Sequence, residues 1–267
     1  MENQLKSSGN YRWVICALIF FATTINYVDR QVLSLLKPAL ELEFHWTEID
    51  YGNIVMAFSA AYALGYLVFG KVVDKVGTKM GYTLSVFFWS VAAMGHALVK
   101  STFGFGVMRA FLGISEAGNF PTAIKATAEW FPKKERALAA GIFNSGTNIG
   151  AVIAPIFIPW ILGVYGWQEA FIWTGALGFV WLIFWWIFYE IPTRQKRLSK
   201  TEFDYIHSDV DEQAEVNTKP IPWIKLLSIR QTWVFICGKL FTDPIWWFLL
   251  FWLPSYCLLY TSPSPRD

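Results

Sequence analysis

Seven apolar runs, each long enough to cross a lipid bilayer as a helix, organise this sequence: Trp13 to Leu36, Tyr51 to Phe69, Met80 to Val99, Phe103 to Ile124, Ala137 to Val164, Ala170 to Ile191 and Thr232 to Tyr256. A spanning helix needs about 20 mostly apolar residues, because hydrocarbon offers the backbone no hydrogen-bond partner and each span must satisfy its own. The connectors are short and polar, with one exception. Residues 192–230 carry Arg194, Lys196, Arg197, Lys200, a later acidic stretch (Asp204, Asp209, Asp211, Glu212 and Glu215) and three prolines, and read as a hydrophilic linker. The chain is 55% hydrophobic and only 16% charged, against about a quarter charged in soluble domains. The expectation is an all-α membrane protein: a six-helix bundle over residues 1–191, a linker over 192–230 and a seventh helix over 231–256.

Lysine and arginine fall unevenly among the connectors. The N-terminal tail and the connectors after spans two, four and six hold Lys6, Arg12, Lys71, Lys75, Lys79, Lys125, Lys133, Lys134, Arg136, Arg194, Lys196, Arg197, Lys200, Lys219, Lys225 and Arg230. The other connectors hold only Lys37 and Lys100. By the positive-inside bias the N-terminus and the linker are expected in the cytoplasm, with the chain a multi-pass membrane protein. The net charge of +2 gives no reason to expect nucleic acid as a partner. Cys16, Cys237 and Cys257 lack metal-ligand spacing; the first two lie in apolar runs and are expected to be small buried hydrophobes. Lys6 and Arg12 precede a run too long for a secretory leader and without a small-residue cleavage site, so the first span is expected to be retained.

The last residues differ in character. Thr261 to Asp267 reads T-S-P-S-P-R-D, and residues 257–267 back-translate without a gap into a transposon-end adapter used in sequencing libraries. A non-native tail is therefore expected there, with Tyr256 the last authentic residue and the remainder of the gene, a C-terminal half, missing.

Charges inside a membrane helix cost several kcal/mol, so an ionisable group there is a functional hypothesis by default. Span one contains N-Y-V-D-R, with Asn26 and Arg30 one turn apart and Asp29 beside Arg30. Arg30 either lies past mid-membrane within the bundle or snorkels to the outer interface. Span four contains R-A-F-L-G-I-S-E-A-G-N-F-P, in which Arg109, Gly113 and Glu116 share one face. Arg109 and Glu116 suit an anion and a proton, or serve as a structural ion pair between helices. Span five reads G-I-F-N-S-G-T-N-I-G-A-V-I-A-P. Its small residues suit close helix packing, while Asn144 and Asn148 at i, i+4 could face a cavity. Tyr62 and Tyr66, one turn apart on span two, are either ligand partners or core.

The connector G-K-V-V-D-K-V-G-T-K follows span two. Its glycines permit a tight turn, and Asp74 can engage a helix N-terminus or a neighbouring Arg. Gly70, Asp74, Gly77 and Lys79 fit the loop signature of the major facilitator superfamily, with Lys75 where that family more often has Arg. Six spans, a long linker and a seventh span resemble such a transporter, whose six-helix halves are each two inverted three-helix repeats. N-Y-V-D-R and R-x-x-x-G-x-x-E-A-G-N-F-P resemble the anion:cation symporter family over residues 12 to 256, and F-T-D-P-I-W-W-F-L-L-F-W-L-P is similar to helix seven of bacterial hexuronate transporters.

That resemblance implies alternating-access, proton-coupled symport of a small organic anion such as a hexuronate, with no cofactor. It implies Arg30 as the substrate anchor, Tyr27 and Tyr62 as substrate contacts, Asp29 and Glu116 as proton carriers, Arg109 as the partner that tunes Glu116, and Gly70, Asp74, Gly77 and Lys79 as gating residues; Asn26 and Asn144 join the substrate candidates by their places on spans one and five. Asp74 would latch against a helix of the absent half, so the fragment alone is expected not to transport. The nearest rival is an organophosphate carrier of the same superfamily. A receptor or scaffold on this fold is weighed against by the intact Asp29, Arg30, Arg109 and Glu116. An intramembrane enzyme is disfavoured because His45, His96 and His207 have no matching Cys, Asp or Glu at ligand spacing. Lys239 and Asp243 form either a cavity pair or a cytoplasmic-end Lys with an Asp-Pro bend.

Overall fold

The computed structural model of the chain describes residues 9–208, 225 and 227–261. Lys6, the acids at 209, 211, 212 and 215, Lys219 and residues 262–267 of the expected tail lie outside the described residues. The described residues are helical, with no strand. The chain forms two compact units, Met1–Ser208 and Asp209–Asp267.

The first unit holds α1 (Tyr11–Phe44), α2 (Glu48–Val76), α3 (Thr78–Gly95), α4 (Thr102–Glu116), α5 (Asn119–Trp130), α6 (Lys133–Tyr165), α7 (Trp167–Phe188) and the short α8 (Lys200–Ile206). The second holds α9 (Arg230–Thr261). By length and apolarity α1, α2, α6, α7 and the Arg230–Pro254 part of α9 can each cross a membrane.

Local chemistry sets the helix ends. His45, in the left-handed conformation at φ 54°, closes α1. Thr47 then opens α2 with a reciprocal cap: its hydroxyl accepts from the Asp50 N–H at 3.2 Å and the Asp50 carboxylate accepts from the Thr47 N–H at 2.9 Å. Gly77, at φ +80°, is the single residue between α2 and α3, and Gly166, at φ +96°, the single residue between α6 and α7. A side chain at either position would be strained, so glycine makes both reversals possible.

Two span readings are corrected. The expected fourth span, Phe103 to Ile124, is two helices, interrupted at Ala117 and Gly118. Pro121 lacks an N–H and its ring crowds the carbonyl four residues back, that of Ala117, which breaks the helical bonding there. The first span runs to Phe44, through Pro38, and takes in Lys37, which the sequence reading had placed in a connector. The side chain of Lys37 is buried and pairs with Glu41 at 3.2 Å and with Glu48 of α2 at 2.7 Å.

The most extensive packings join α1 to α6, α2 to α4 and α3 to α7. Counting α4 and α5 as one span, these are spans one with five, two with four, and three with six. Exchanging spans 1–3 for spans 4–6 maps the first pairing onto the second and the third onto itself, the pattern of two inverted three-helix repeats. Glycine lets each pair approach. A Cβ on Gly113 would meet the Phe58 carbonyl oxygen of α2 at 2.5 Å, one on Gly150 the Thr24 carbonyl oxygen of α1 at 2.6 Å, and one on Gly175 the Ser90 carbonyl oxygen of α3 at 2.8 Å. Small residues allow such backbone contact in bilayers, where hydrophobic burial between helices supplies little drive.

The residues after α7 pack onto the bundle. Glu202 of α8 is buried and accepts from the backbone N–H groups of Tyr11 (3.2 Å) and Arg12 (3.1 Å), so its carboxylate caps α1 from outside that helix. Arg12 bridges Glu202 (3.1 Å) and Glu135 of α6 (2.9 Å). The Gln195 side-chain amide donates to the Phe188 carbonyl at 2.9 Å.

Of the three free thiols, Cys16 is buried; Cys237, expected to be buried, is exposed on α9, as is Cys257. Position within an apolar run does not determine which face of a helix a residue occupies. Also on α9, Lys239 and Asp243 form an exposed i, i+4 ion pair at 3.2 Å.

Candidate functional site

The charged residues of α1 and α4 lie inside the first unit. Asn26, Asp29 and Arg30 of α1 and Arg109 and Glu116 of α4 are all buried, which rules out an Arg30 that snorkels to an interface. The Arg30 Nε donates to Glu116 Oε2 at 2.6 Å, with both side chains closed to solvent. The guanidinium carbon lies 4.5 Å from the ring centre of Tyr62, 4.9 Å from that of Tyr27 and 5.5 Å from that of Phe58. Arg30 thus sits in an aromatic box with one carboxylate, where cation–π attraction is strengthened by the absence of water. Phe58 escaped the sequence reading, although it precedes Tyr62 by one turn and shares its face.

Arg109, expected to tune Glu116, makes no direct bond to it, although its charge acts on that carboxylate. Arg109 approaches the Phe58 ring at 6.0 Å, and its guanidinium nitrogens meet no hydrogen-bond acceptor among the described residues. Residues seven apart on a helix share a face but are separated by about 10 Å along the axis. Side chains lean toward the helix N-terminus, so Arg109 leans away from Glu116. Arg30, from another helix, reaches the carboxylate instead.

Asn26 stands beside Glu116. The Asp29 carboxylate has Glu116, Arg109 and the Thr174 hydroxyl of α7 in its surroundings. The cluster therefore holds two cations and two carboxylates, a formally neutral set in an apolar bundle. Glu116 Oε1 and both Asp29 oxygens lack a donor of bonding geometry among the described residues. Asn144 is exposed and donates to the Ala140 carbonyl of its own helix at 2.8 Å. It lies on the side of α6 away from Gly146 and Gly150, the residues that meet α1. Of the tyrosines, Tyr62 joins the site, while Tyr66 is largely exposed and lies 5.8 Å from the Tyr62 ring.

The loop-signature residues gather at the lysine-rich end. Gly70 lies within α2, so the turn expected of both glycines is made by Gly77 alone. Asp74 pairs with Lys125 of α5 at 2.9 Å, a lysine where an arginine or a helix N-terminus was expected. Lys79 pairs with Glu190, beyond the end of α7, at 2.9 Å. The Lys79 hydrogen bond holds the Glu190 carboxyl below the usual glutamate range. Next to it, burial pushes the Tyr189 phenol well up, and the Tyr189 hydroxyl donates to Glu129 at 2.6 Å.

Comparison with known proteins agrees with this architecture. The profile of the Major Facilitator Superfamily matches residues 19–263. The hexuronate transporter of Escherichia coli strain K12 is 38% identical over 246 residues, which cover 92% of this chain and 57% of that protein. The galacturonate transporter of Dickeya chrysanthemi is 36% identical over 246 residues, 92% of this chain and 71% of its own. The D-galactonate transporter of Escherichia coli O6:H1 is 33% identical over 258 residues, 93% and 60% of the two chains. The chain thus spans little more than half the length of the first of these relatives. A crystal structure of a bacterial homologue of the human lysosomal transporter Spinster, inward-facing and unoccupied, matches with a TM-score of 0.73 at 20% identity, over 96% of this chain and 57% of that one. The inward-open xylose transporter XylE of Escherichia coli matches at 0.60 and 14% identity, over 91% and 64%. Both likenesses concern the fold alone. By profile, relatives and fold together, the chain belongs to the Major Facilitator Superfamily, a family of transporters rather than enzymes.

Proposed function

We propose that this chain is the N-terminal six-helix unit, linker and seventh helix of a sugar-acid transporter of the anion:cation symporter type, with hexuronates such as glucuronate and galacturonate as substrates and protons as the coupled ion. The observation that carries this reading is the boxed Arg30–Glu116 pair: a guanidinium sealed among Tyr27, Phe58, Tyr62 and one carboxylate. Relatives named for hexuronate, galacturonate and galactonate transport support the substrate class.

In this reading the substrate carboxylate competes with Glu116 for Arg30. A guanidinium binds a carboxylate in a bidentate fork, and only one partner occupies it fully. When the substrate displaces Glu116, that carboxylate is left buried without its cation, and taking a proton removes the charge. Asp29 is the second proton carrier, and Arg109 adjusts both through its field. Tyr27, Tyr62, Asn26 and, from the exposed side of α6, Asn144 receive the sugar hydroxyls. Gly70, Asp74, Gly77 and Lys79 serve the gate at the lysine-rich end. The charge bias of the connectors supports a cytoplasmic placement of that end, and the bacterial relatives support a bacterial inner membrane.

The test is uptake of labelled glucuronate and galacturonate into proteoliposomes holding the protein encoded by the intact gene. Saturable uptake that Arg30→Ala abolishes, with Glu116→Gln losing only proton-driven accumulation, supports the assignment. Normal transport by Arg30→Ala sinks the anchor role, and transport of other anions but neither uronate sinks the substrate.

A further inference from the structure

The residues that follow α7 carry charge to the place where an apolar helix ends. α7 ends at Phe188, and its last turns leave Ile183, Phe184, Trp186 and Ile187 exposed, an apolar side that suits contact with acyl chains. Arg194, Lys196, Arg197 and Lys200 come next, and all four are exposed. None of them meets a carboxylate at ion-pair distance among the described residues, because the acids nearby are answered by other cations: Glu190 by Lys79 at 2.9 Å and Glu202 by Arg12 at 3.1 Å. Asp204 is the exposed acid of α8.

This cationic stretch is tied down at both ends. The Gln195 side-chain amide donates to the Phe188 carbonyl at 2.9 Å and to the Tyr11 hydroxyl at 3.3 Å, while its oxygen accepts from the Arg197 N–H at 3.2 Å. At the other end the Ser199 hydroxyl accepts from the Glu202 N–H at 3.2 Å, and Glu202 holds the first turn of α1. The Gln195 tie sets Arg197 beside the end of α7: its guanidinium carbon lies 5.1 Å from the Phe188 ring centre. The Phe188 ring stacks in turn on that of Phe184, one turn back, at 6.5 Å and 11°. Phe184, Phe188 and Arg197 thus form one column, apolar along α7 and cationic where α7 ends. Such a column matches the boundary between acyl chains and headgroups, where a long cationic side chain rests its stem on apolar surface and its head among polar groups. Free phosphate would find the cations alone, whereas a phospholipid meets the whole column.

We propose that residues 194–200 bind the headgroup of an anionic phospholipid, with Arg197 as the fork on its phosphate, Phe184 and Phe188 against the start of its acyl chains, and Arg194, Lys196 and Lys200 supplying attraction. A guanidinium offers paired donors that fit phosphate oxygens, and cations held at a bilayer surface draw acidic lipids to them. Because Gln195 and Glu202 fix the stretch to α7 and α1, the bound lipid joins the bilayer surface to those two helices. The site is independent of which solute the protein carries.

The protein encoded by the intact gene, in phosphatidylcholine nanodiscs doped with phosphatidylglycerol, is released and its retained lipids are counted by native mass spectrometry. Phosphatidylglycerol is expected to be retained in preference to phosphatidylcholine. Arg197→Gln should lower that preference about fivefold, the factor for one cation near an anionic surface. Arg197→Lys, which keeps the charge without the fork, should fall between the two. Phe188→Leu, which changes no charge and keeps an apolar side chain, should also lower the preference, because Arg197 loses its ring. Lys71→Gln removes an exposed lysine of α2 and is expected to leave the preference near the wild-type value. Equal losses in Arg197→Gln and Lys71→Gln overturn the site in favour of diffuse surface charge. An unchanged preference in Phe188→Leu overturns the column, and a wild type that retains the two lipids alike overturns the proposal outright. Far-UV circular dichroism matching the wild type shows that each variant is folded.

Discussion

Arg30 Nε and Glu116 Oε2 stand 2.6 Å apart, joining α1 to α4, with neither side chain open to solvent. Removing one partner of such a pair leaves an unmatched charge in an apolar interior, which costs about 3–5 kcal/mol, whereas replacing both with apolar residues of similar volume is often near neutral. Arg30→Met alone is therefore expected to lower the thermal midpoint of the detergent-solubilised protein far more than Arg30→Met combined with Glu116→Leu. Equal destabilisation by the single and double variants would show that the pair does not carry its charges jointly.

The close helix approaches give a second expectation. A Cβ on Gly113 would meet a backbone oxygen of α2, and one on Gly150 a backbone oxygen of α1, and backbone cannot swing aside as a side-chain tip can. Gly113→Ala and Gly150→Ala should each cost about 1–3 kcal/mol through overpacking. Gly52→Ala and Gly141→Ala, where a Cβ meets nothing within 4 Å, should be neutral or stabilise by up to about 1 kcal/mol. Thermal midpoints of the four variants check the contrast.

Glu202 holds the first turn of α1 from α8, accepting two backbone N–H groups and the Arg12 side chain. Losing a helix cap costs about 0.5–2 kcal/mol. Glu202→Ala is expected to raise amide hydrogen exchange in residues 11–14 and leave the far end of α1, near Leu40, protected. Uniform exchange along α1 in the variant would place the capping energy elsewhere.

The Lys79–Glu190 pair gives a pH dependence. Glu190 has its carboxyl lowered, first by the Lys79 hydrogen bond. A group whose folded value is depressed stabilises above its unfolded value and loses that contribution as pH falls through the folded one. The difference in thermal midpoint between wild type and Lys79→Met should therefore be full at neutral pH and shrink below the ordinary glutamate value of 4.5. A difference that grew on acidification would contradict the pairing. The pair is partly exposed, so the effect is small and falls with added salt.

Legibility in the sequence followed locality. The helices were readable from run length, and the inward placement of Asp29, Arg30, Arg109 and Glu116 from the cost of charge in hydrocarbon. Tyr27 and Tyr62, which line the Arg30 box, were named through the family resemblance, whereas Phe58 was missed: an aromatic on an apolar helix resembles ordinary core. The break at Ala117 was signalled by Pro121 and overlooked because hydropathy does not register a missing N–H. The same insensitivity to hydrogen bonding hid α8, whose polar sequence packs through Glu202, Tyr205 and Arg12.

By itself the sequence determined that this chain is a set of membrane helices with a charged interior, because the length of an apolar run and the cost of a buried charge are properties of segments and single residues. Only the tertiary structure decided which cation answers which carboxylate. Arg30 and Glu116 are 86 positions apart, and the choice between Arg30 and Arg109 turns on how closely helices bearing glycine can approach and which way their side chains lean. Those distances arise between helices, where no periodicity within one segment can record them.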